Sequence, residues 1–184
     1  GDITALGNCT NLKEARFRCT NITGPFKVFT SLLALQELDI GCTNVDCSCA
    51  LELISSAPWA PRIKKLGLSE TNVQGDIAVL GNCTNLEKCV FYKCRNVTGD
   101  LAVIGKCTNL VNFDFGFCRN ITGDITALGN CTNLKEARFR CTNITGPFKV
   151  FTSLLALQEL DIGCTNVDCS CALELISMAP WALQ

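Results

Sequence analysis

Cysteine is the residue through which this chain could most readily do chemistry: fifteen are present, and histidine is absent. Thiolates ligate soft metals, attack electrophiles and exchange with disulfides. The tightest spacing is Cys-x-Cys, at Cys47/Cys49 and again at Cys169/Cys171, each inside Asp-Cys-Ser-Cys-Ala-Leu. Zinc sites use paired Cys/His clusters at fixed spacing, and no histidine is available to complete one. The cysteine count is odd, so at least one thiol stays free or pairs between chains, which favours a reducing intracellular or organellar compartment over secretion. Packing is the leading reading of the Cys-x-Cys pairs, with a disulfide and with metal or redox chemistry as alternatives.

The other cysteines make sense only in a repeat frame. Seven units start at Leu12, Leu35, Ile63, Leu86, Leu110, Leu134 and Leu157, in steps of 23, 28, 23, 24, 24 and 23 residues. Each opens with a Leu-x-x-Leu-x-Leu pattern whose alternation sends three positions inward. Those sets are Leu12/Ala15/Phe17, Leu35/Leu38/Ile40, Ile63/Leu66/Leu68, Leu86/Cys89/Phe91, Leu110/Phe113/Phe115, Leu134/Ala137/Phe139 and Leu157/Leu160/Ile162. Cys9, Cys83, Cys107 and Cys131 stand three residues before the leading Leu, where an apolar core residue is wanted, and Cys89 is itself inward. Cys19, Cys42, Cys94, Cys118, Cys141 and Cys164 form a second column just past the strand. A free cysteine is a small hydrophobe, so most thiols are expected to be reduced and buried.

After each strand comes an asparagine, at Asn21, Asn44, Asn72, Asn96, Asn120, Asn143 and Asn166, followed by Ile or Val. Asn is turn chemistry, because its amide bonds backbone groups that a bend leaves open. Stacking would align the seven into a ladder. Glycine then recurs at Gly24, Gly75, Gly99, Gly123 and Gly146, where the chain must bend again. The seven Asn-x-Thr sequons, at Asn8, Asn21, Asn82, Asn96, Asn120, Asn130 and Asn143, arise from two repeated turn strings, so glycosylation is not needed to account for them.

Strings such as Leu66-Gly67-Leu68-Ser69-Glu70-Thr71-Asn72-Val73-Gln74-Gly75-Asp76-Ile77 resemble the plant-type leucine-rich repeat, L-x-x-L-x-L-x-x-N-x-L-x-G-x-I-P. The period agrees. Thr replaces the ladder Asn in five units with Asn one place later, Cys94 and Cys118 stand there in two longer units, and the Pro after Ile is missing. The resemblance implies an α/β solenoid, a horseshoe or arc with a concave parallel sheet of seven strands, a convex side of irregular segments and short helix, and binding of protein or peptide in the concavity.

One unit is longer than the rest, and Ser48–Ala57 within it reads as a convex helix, with Ser48 or Asp46 near its cap and Pro58 ending it. Trp59 is expected to pack beneath that helix, whereas Trp181 in the second copy is expected to be exposed. Residues 1–60 return as 123–182 with Ser56/Met178 as the one difference, so a five-unit block has been copied within a single solenoid spanning 1–184. Its ends carry no capping pattern, which suggests flanking sequence or a covering chain in a larger assembly.

A net charge of −1 gives no global bias toward nucleic acid or membrane surface, and the apolar runs are too short for a spanning helix. No nucleophile motif, phosphate loop or isolated carboxylate pair is present, so no catalytic, cofactor or metal residue is assigned and an enzyme is disfavoured. Outward strand positions remain as the place for function. Tyr92 and Val90 are the only large apolar or aromatic side chains in the two central outward columns, with Lys88 and Lys65 as a polar rim. Arg16, Arg18, Arg138 and Arg140 flank them, with cross-strand pairing expected for Arg16/Asp39 and Arg138/Asp161. The leading function is a non-catalytic module holding a protein or peptide on the concave sheet. The alternatives are a structural subunit of a multi-protein assembly and, behind it, a thiol-rich redox or metal protein.

Overall fold

The computed structural model describes residues 1–178. Seven three-residue strands form one parallel sheet in strict chain order: β1 (Glu14–Arg16), β2 (Glu37–Asp39), β3 (Lys65–Gly67), β4 (Lys88–Val90), β5 (Asn112–Asp114), β6 (Glu136–Arg138) and β7 (Glu159–Asp161). The strands stack in register, so Ala15, Leu38, Leu66, Cys89, Phe113, Ala137 and Leu160 make one inward row. This is the sequence expectation, and it follows from period-two alternation with one buried face. Six of the seven residues in that row are buried, and Leu160 is half-buried.

Inside β4–β6 the inward positions carry phenylalanines that stack across units. Phe91 and Phe115 lie 5.0 Å apart, Phe113 and Phe115 4.6 Å, and Phe113 and Phe139 5.4 Å. Aromatic pairs at such separations add about 1 kcal/mol beyond area burial. Opposite the sheet, six-residue 3₁₀ turns such as Ile77–Asn82, Leu101–Lys106 and Ile125–Asn130 close the convex side. Asp2, Asp76, Asp100 and Asp124 each cap such a turn by accepting a backbone N–H two residues on, at 2.7–2.8 Å. The recurring glycine makes room for that cap: at Gly123, where φ is +105°, a Cβ would stand 2.2 Å from Asp100 Oδ1.

The long unit does form a convex helix, α1 (Ala50–Ser56), repeated as α2 (Ala172–Met178). Cys49, rather than Ser48 or Asp46, occupies the N-cap of α1, because Asp46 Oδ1 is engaged by Ser48 N–H at 3.0 Å in the turn before it. Trp59 is fully buried, and its indole donates to Phe29 O at 2.8 Å. The expectation for Trp181 lies outside the described residues.

Two sequence expectations about the turns are corrected. Every strand is followed by a residue in the left-handed region: Cys19, Cys42, Glu70, Lys93, Phe117, Cys141 and Cys164 have φ between 54° and 63°. Next comes the position that folds back over the strand end, and it belongs to Thr20, Thr43, Thr71, Thr142 and Thr165, whose hydroxyls donate to the carbonyl three residues earlier at 2.6–2.7 Å. The seven asparagines stand beyond it and are exposed. They form no buried ladder, because the Thr hydroxyl has already taken the turn's inner carbonyl. Three of them still reach the preceding unit: Asn72 Oδ1 accepts from Cys47 N–H at 2.7 Å, and Asn120 and Asn143 donate to Arg95 O and Arg119 O.

The second cysteine column is likewise two columns. Cys94 and Cys118 sit at the Thr position, buried, with thiols donating to Leu68 O at 3.1 Å and Phe91 O at 3.0 Å. Cys19, Cys42, Cys141 and Cys164 hold the left-handed position and are exposed or half-buried. Seven thiols in all are buried (Cys47, Cys83, Cys89, Cys94, Cys107, Cys118 and Cys131), fewer than expected. The left-handed turn projects toward solvent, and Cys9, Cys49, Cys169 and Cys171 are exposed as well, so of the two Cys-x-Cys pairs packing accounts for Cys47 alone.

Candidate functional site

Lys65, Gly67, Lys88 and Val90 meet on neighbouring strands, since Lys65 is in register with Lys88 and Gly67 with Val90. Gly67 contributes no side chain, and the Asp39 carboxyl takes that space, 2.7 Å from where a Cβ would stand; beside it opens a hollow of about 250 Å³, bordered by Arg16, Glu37, Asp39, Lys65 and Lys88. Its floor is the backbone of β2 and β3. The sequence reading grouped Lys65, Lys88, Val90 and Tyr92; Lys65, Lys88 and Val90 stand on the neighbouring strands β3 and β4, whereas Tyr92 lies past the end of β4 against Gly116 and Phe117.

The charges around the hollow are unequal. Glu37, largely covered, accepts from Lys65 at 2.8 Å and from Arg16 Nε at 2.9 Å. Burial raises the Glu37 pKa, but the hydrogen bonds from Lys65 and Arg16 outweigh it and leave the carboxyl below its usual range. Lys88 is exposed, and among the described residues no carboxylate pairs with it. Beside it in register stands Asn112, which donates to Glu136 Oε2 at 2.5 Å while its own Oδ1 is buried and lacks a partner. A free cation and an open acceptor thus adjoin on β4 and β5.

The expected pairs Arg16/Asp39 and Arg138/Asp161 do not form. Arg16 turns diagonally to Glu37 and to Glu14, and Arg138 to Glu159 and Glu136. Asp39 and Asp161 are taken instead by the backbone N–H two residues on, at Gly41 and Gly163, 3.1 and 3.0 Å away. Asp114 does the same with Gly116 at 2.9 Å. Burial pushes the Asp114 carboxyl above its usual range, against that hydrogen bond. Arg18 lies over Gly41, and Arg140 stands 4.0 Å from Asp161. Arg16 therefore borders the hollow through Glu37, which it shares with Lys65, while Arg18, Arg138 and Arg140 do not line it.

Tyr92 is half-buried, seated where Gly116 has no side chain: a Cβ there would lie 3.2 Å from the ring. Phe117 stands edge-on to it, and Lys93 covers its face at 5.0 Å while pairing with Glu70 at 3.4 Å. Sequence reasoning missed Phe117. It occupies the left-handed turn column, which was read as cysteine, and its signal was the extra residue that the β4 and β5 units carry before their asparagines. Among the described residues no group of three or more Cys, Asp or Glu could hold a metal ion, and no helix is long and apolar enough to cross a membrane.

No protein-family model matches the chain, and no curated relative matches it. Solved structures do. An internalin of Listeria monocytogenes superposes with a TM-score of 0.68 at 15% identity over 98% of this chain and 48% of its own. The Arabidopsis receptor kinase HAESA, in complex with the peptide hormone IDA and a co-receptor, gives 0.71 at 19% identity over 91% and 28%. A leucine-rich-repeat protein of Leptospira interrogans gives 0.63 at 15% identity over 97% and 50%. The chain spans half their length or less. These identities speak to fold alone, and with the in-order parallel sheet and the short convex helices they lead to one statement: the chain has the leucine-rich-repeat solenoid fold.

Proposed function

We propose that the chain is a non-catalytic interaction module that holds a protein or peptide on the concave sheet, centred on β3–β5. The observation that carries the reading is the charged hollow on β2–β4, bordered by unpaired Lys88, with the Tyr92–Phe117 pair just past the ends of β4 and β5. Interface hot spots combine a semi-rigid aromatic anchor with polar groups that gain partners on binding. An acidic side chain supplies what Lys88 lacks. The HAESA complex, whose partners include a peptide hormone, supports a protein or peptide as the class of ligand. The test is binding by variants: Tyr92→Ala and Val90→Asp weaken association without lowering the melting temperature, and Arg16→Ala matters less. Normal binding by both central variants, with loss on changing Glu52 of α1, would reject this reading.

A second reading, a subunit packed against other chains, has its own observation. Leu51 is 1% exposed in the first copy, whereas the identical position Leu173 is 86% exposed. In the first copy Leu51 lies against Gly75 of the next unit, and a further repeat unit, of this or of another chain, would fit the same face at Leu173. Concentration-independent monomeric behaviour of the full chain in sedimentation would count against it.

A further inference from the structure

Two pairs of thiols stand apart from the buried columns. Cys19 and Cys42 hold the left-handed turn of neighbouring units with φ of 58° and 55°, and Cys141 and Cys164 repeat the arrangement at 57° each. Backbone bonds fix each pair in register: Cys19 N–H donates to Gly41 O at 2.9 Å and Cys141 N–H to Gly163 O at 2.8 Å, the carbonyls just before Cys42 and Cys164. The neighbouring thiol raises the pKa of Cys42 and of Cys141. Adjacent strands lie about 4.8 Å apart, inside the Cα separation of roughly 4.4 to 6.8 Å that a disulfide spans. The intervening units carry Glu70, Lys93 and Phe117 at this turn, so the column brings thiols together at these two places.

Accessibility separates these pairs from the core. Burial pushes the Cys47, Cys83 and Cys94 thiols up to about 12, and a covered, protonated thiol does not exchange. Cys19 and Cys164 are exposed, and Cys42 and Cys141 half-exposed. Desolvation and the neighbouring thiol raise the Cys42 and Cys141 thiols, and Glu70, whose carboxylate accepts from Cys42 Sγ at 3.8 Å, adds to this at Cys42; Arg18 at Cys42, and Arg140 with Arg119 at Cys141, oppose it more weakly. The exposed member of each pair is therefore the one placed to attack first.

We propose that Cys19–Cys42 and Cys141–Cys164 are dithiol sites that close to disulfides by exchange with a low-molecular-weight disulfide of the glutathione class. In the first pair, the Cys19 thiolate attacks one sulfur of the reagent, forming a mixed disulfide and expelling one thiolate. The Cys42 thiolate then attacks the Cys19 sulfur, closing the protein disulfide and expelling the second. The reagent's sulfur–sulfur bond breaks, it takes up two electrons and the two protein protons, and two thiols leave. In the second pair Cys164 attacks and Cys141 closes. Equal φ values keep the two Cβ vectors of a pair nearly parallel, so closure must draw the turns in from strand spacing toward the roughly 3.8 Å Cβ separation of a relaxed bridge. A bridge under such tension is readily reduced, which makes the link reversible.

The folded full chain is incubated with oxidised glutathione, remaining thiols are blocked, and tryptic products are mapped by mass spectrometry. Ser56 and Met178 distinguish the peptide bearing Cys42 from the one bearing Cys164. The expected result is a loss of two hydrogens for each closed pair, links from the Cys19/Cys141 peptide to both others, and reversal by excess dithiol. Cys42→Ser removes only the first link and leaves glutathione on Cys19, whereas Cys49→Ser changes neither link. Glutathione retained on both members of a pair, bridging of Cys169 to Cys171 instead, or no reaction at Cys19 would overturn the proposal.

Discussion

The Tyr92 ring stands edge-on to Phe117, with centroids 5.5 Å apart and planes at 88°. The contact ties β4's outward column to the turn after β5. Edge-to-face pairs couple by about 1 kcal/mol. In a double-mutant cycle on denaturant unfolding, Tyr92→Ala and Phe117→Ala are expected to be non-additive by about that amount. Additive costs would mean that the rings are independent.

The turn chemistry separates asparagines that look alike in sequence. Asn72 makes two side-chain bonds, to Cys47 N–H and to Asp46, whereas no side-chain bond holds Asn96. Asn72→Ala is expected to cost about 1 kcal/mol, and Asn96→Ala less than about 0.5 kcal/mol. Thr142→Val, which removes a buried 2.7 Å bond to Phe139 O, belongs with Asn72. Equal melting shifts for Asn72→Ala and Asn96→Ala would contradict this division.

Glycine positions divide in the same way. Gly123→Ala meets both a left-handed φ and Asp100, and is expected to cost more than about 1 kcal/mol. At Gly129 a Cβ finds only Val150 at 3.7 Å and φ is ordinary, so Ala there is expected to be neutral or slightly stabilising. Chemical denaturation of the two variants side by side checks it.

Repeat number, strand order and the inward row were legible because alternation with one buried face leaves little freedom of register. The turns were not. A one-residue shift separates Thr20 from Asn21 and Phe117 from Cys118, and only the backbone shows which of the two faces the interior. The Arg16 and Arg138 pairings were misjudged for a related reason. Register correctly set Asp39 and Asp161 opposite the arginines, but a backbone N–H two residues on competes for each aspartate and wins. At the proposed site, Tyr92, Val90, Lys88 and Lys65 are the residues that the contrast between columns singles out. The hollow beside Gly67 and the open Asn112 acceptor are products of packing, which no single residue type announces.

Glu37 gives stability a pH dependence of fixed sign. Its folded pKa lies below the unfolded value of 4.5, so its contribution is complete above that value and is lost as pH falls through the lowered one. Stability should therefore drop on acidification below about 4.5, and Glu37→Gln should flatten that limb while costing about 1 kcal/mol at neutral pH. Asp114 acts oppositely, because its folded pKa is raised above 3.8: its ionisation weakens the fold as pH rises through that window, and Asp114→Asn should remove the effect. Unfolding midpoints measured from pH 3 to pH 7, conditions spanning roughly the carboxylate range, report both signs.

The central claim is that ligands are held on the concave face around β3–β5, and chemical-shift mapping tests it most directly. Peptides selected from a displayed random library against the folded full chain serve as probes, titrated into wild-type protein and into Tyr92→Ala. The expected result is that shifts cluster at Lys65, Gly67, Lys88, Asn112 and Phe117, and that Tyr92→Ala weakens affinity by about 2 kcal/mol, on the order of thirtyfold. Shifts confined to α1 around Glu52, or undiminished affinity in the variant, would contradict it.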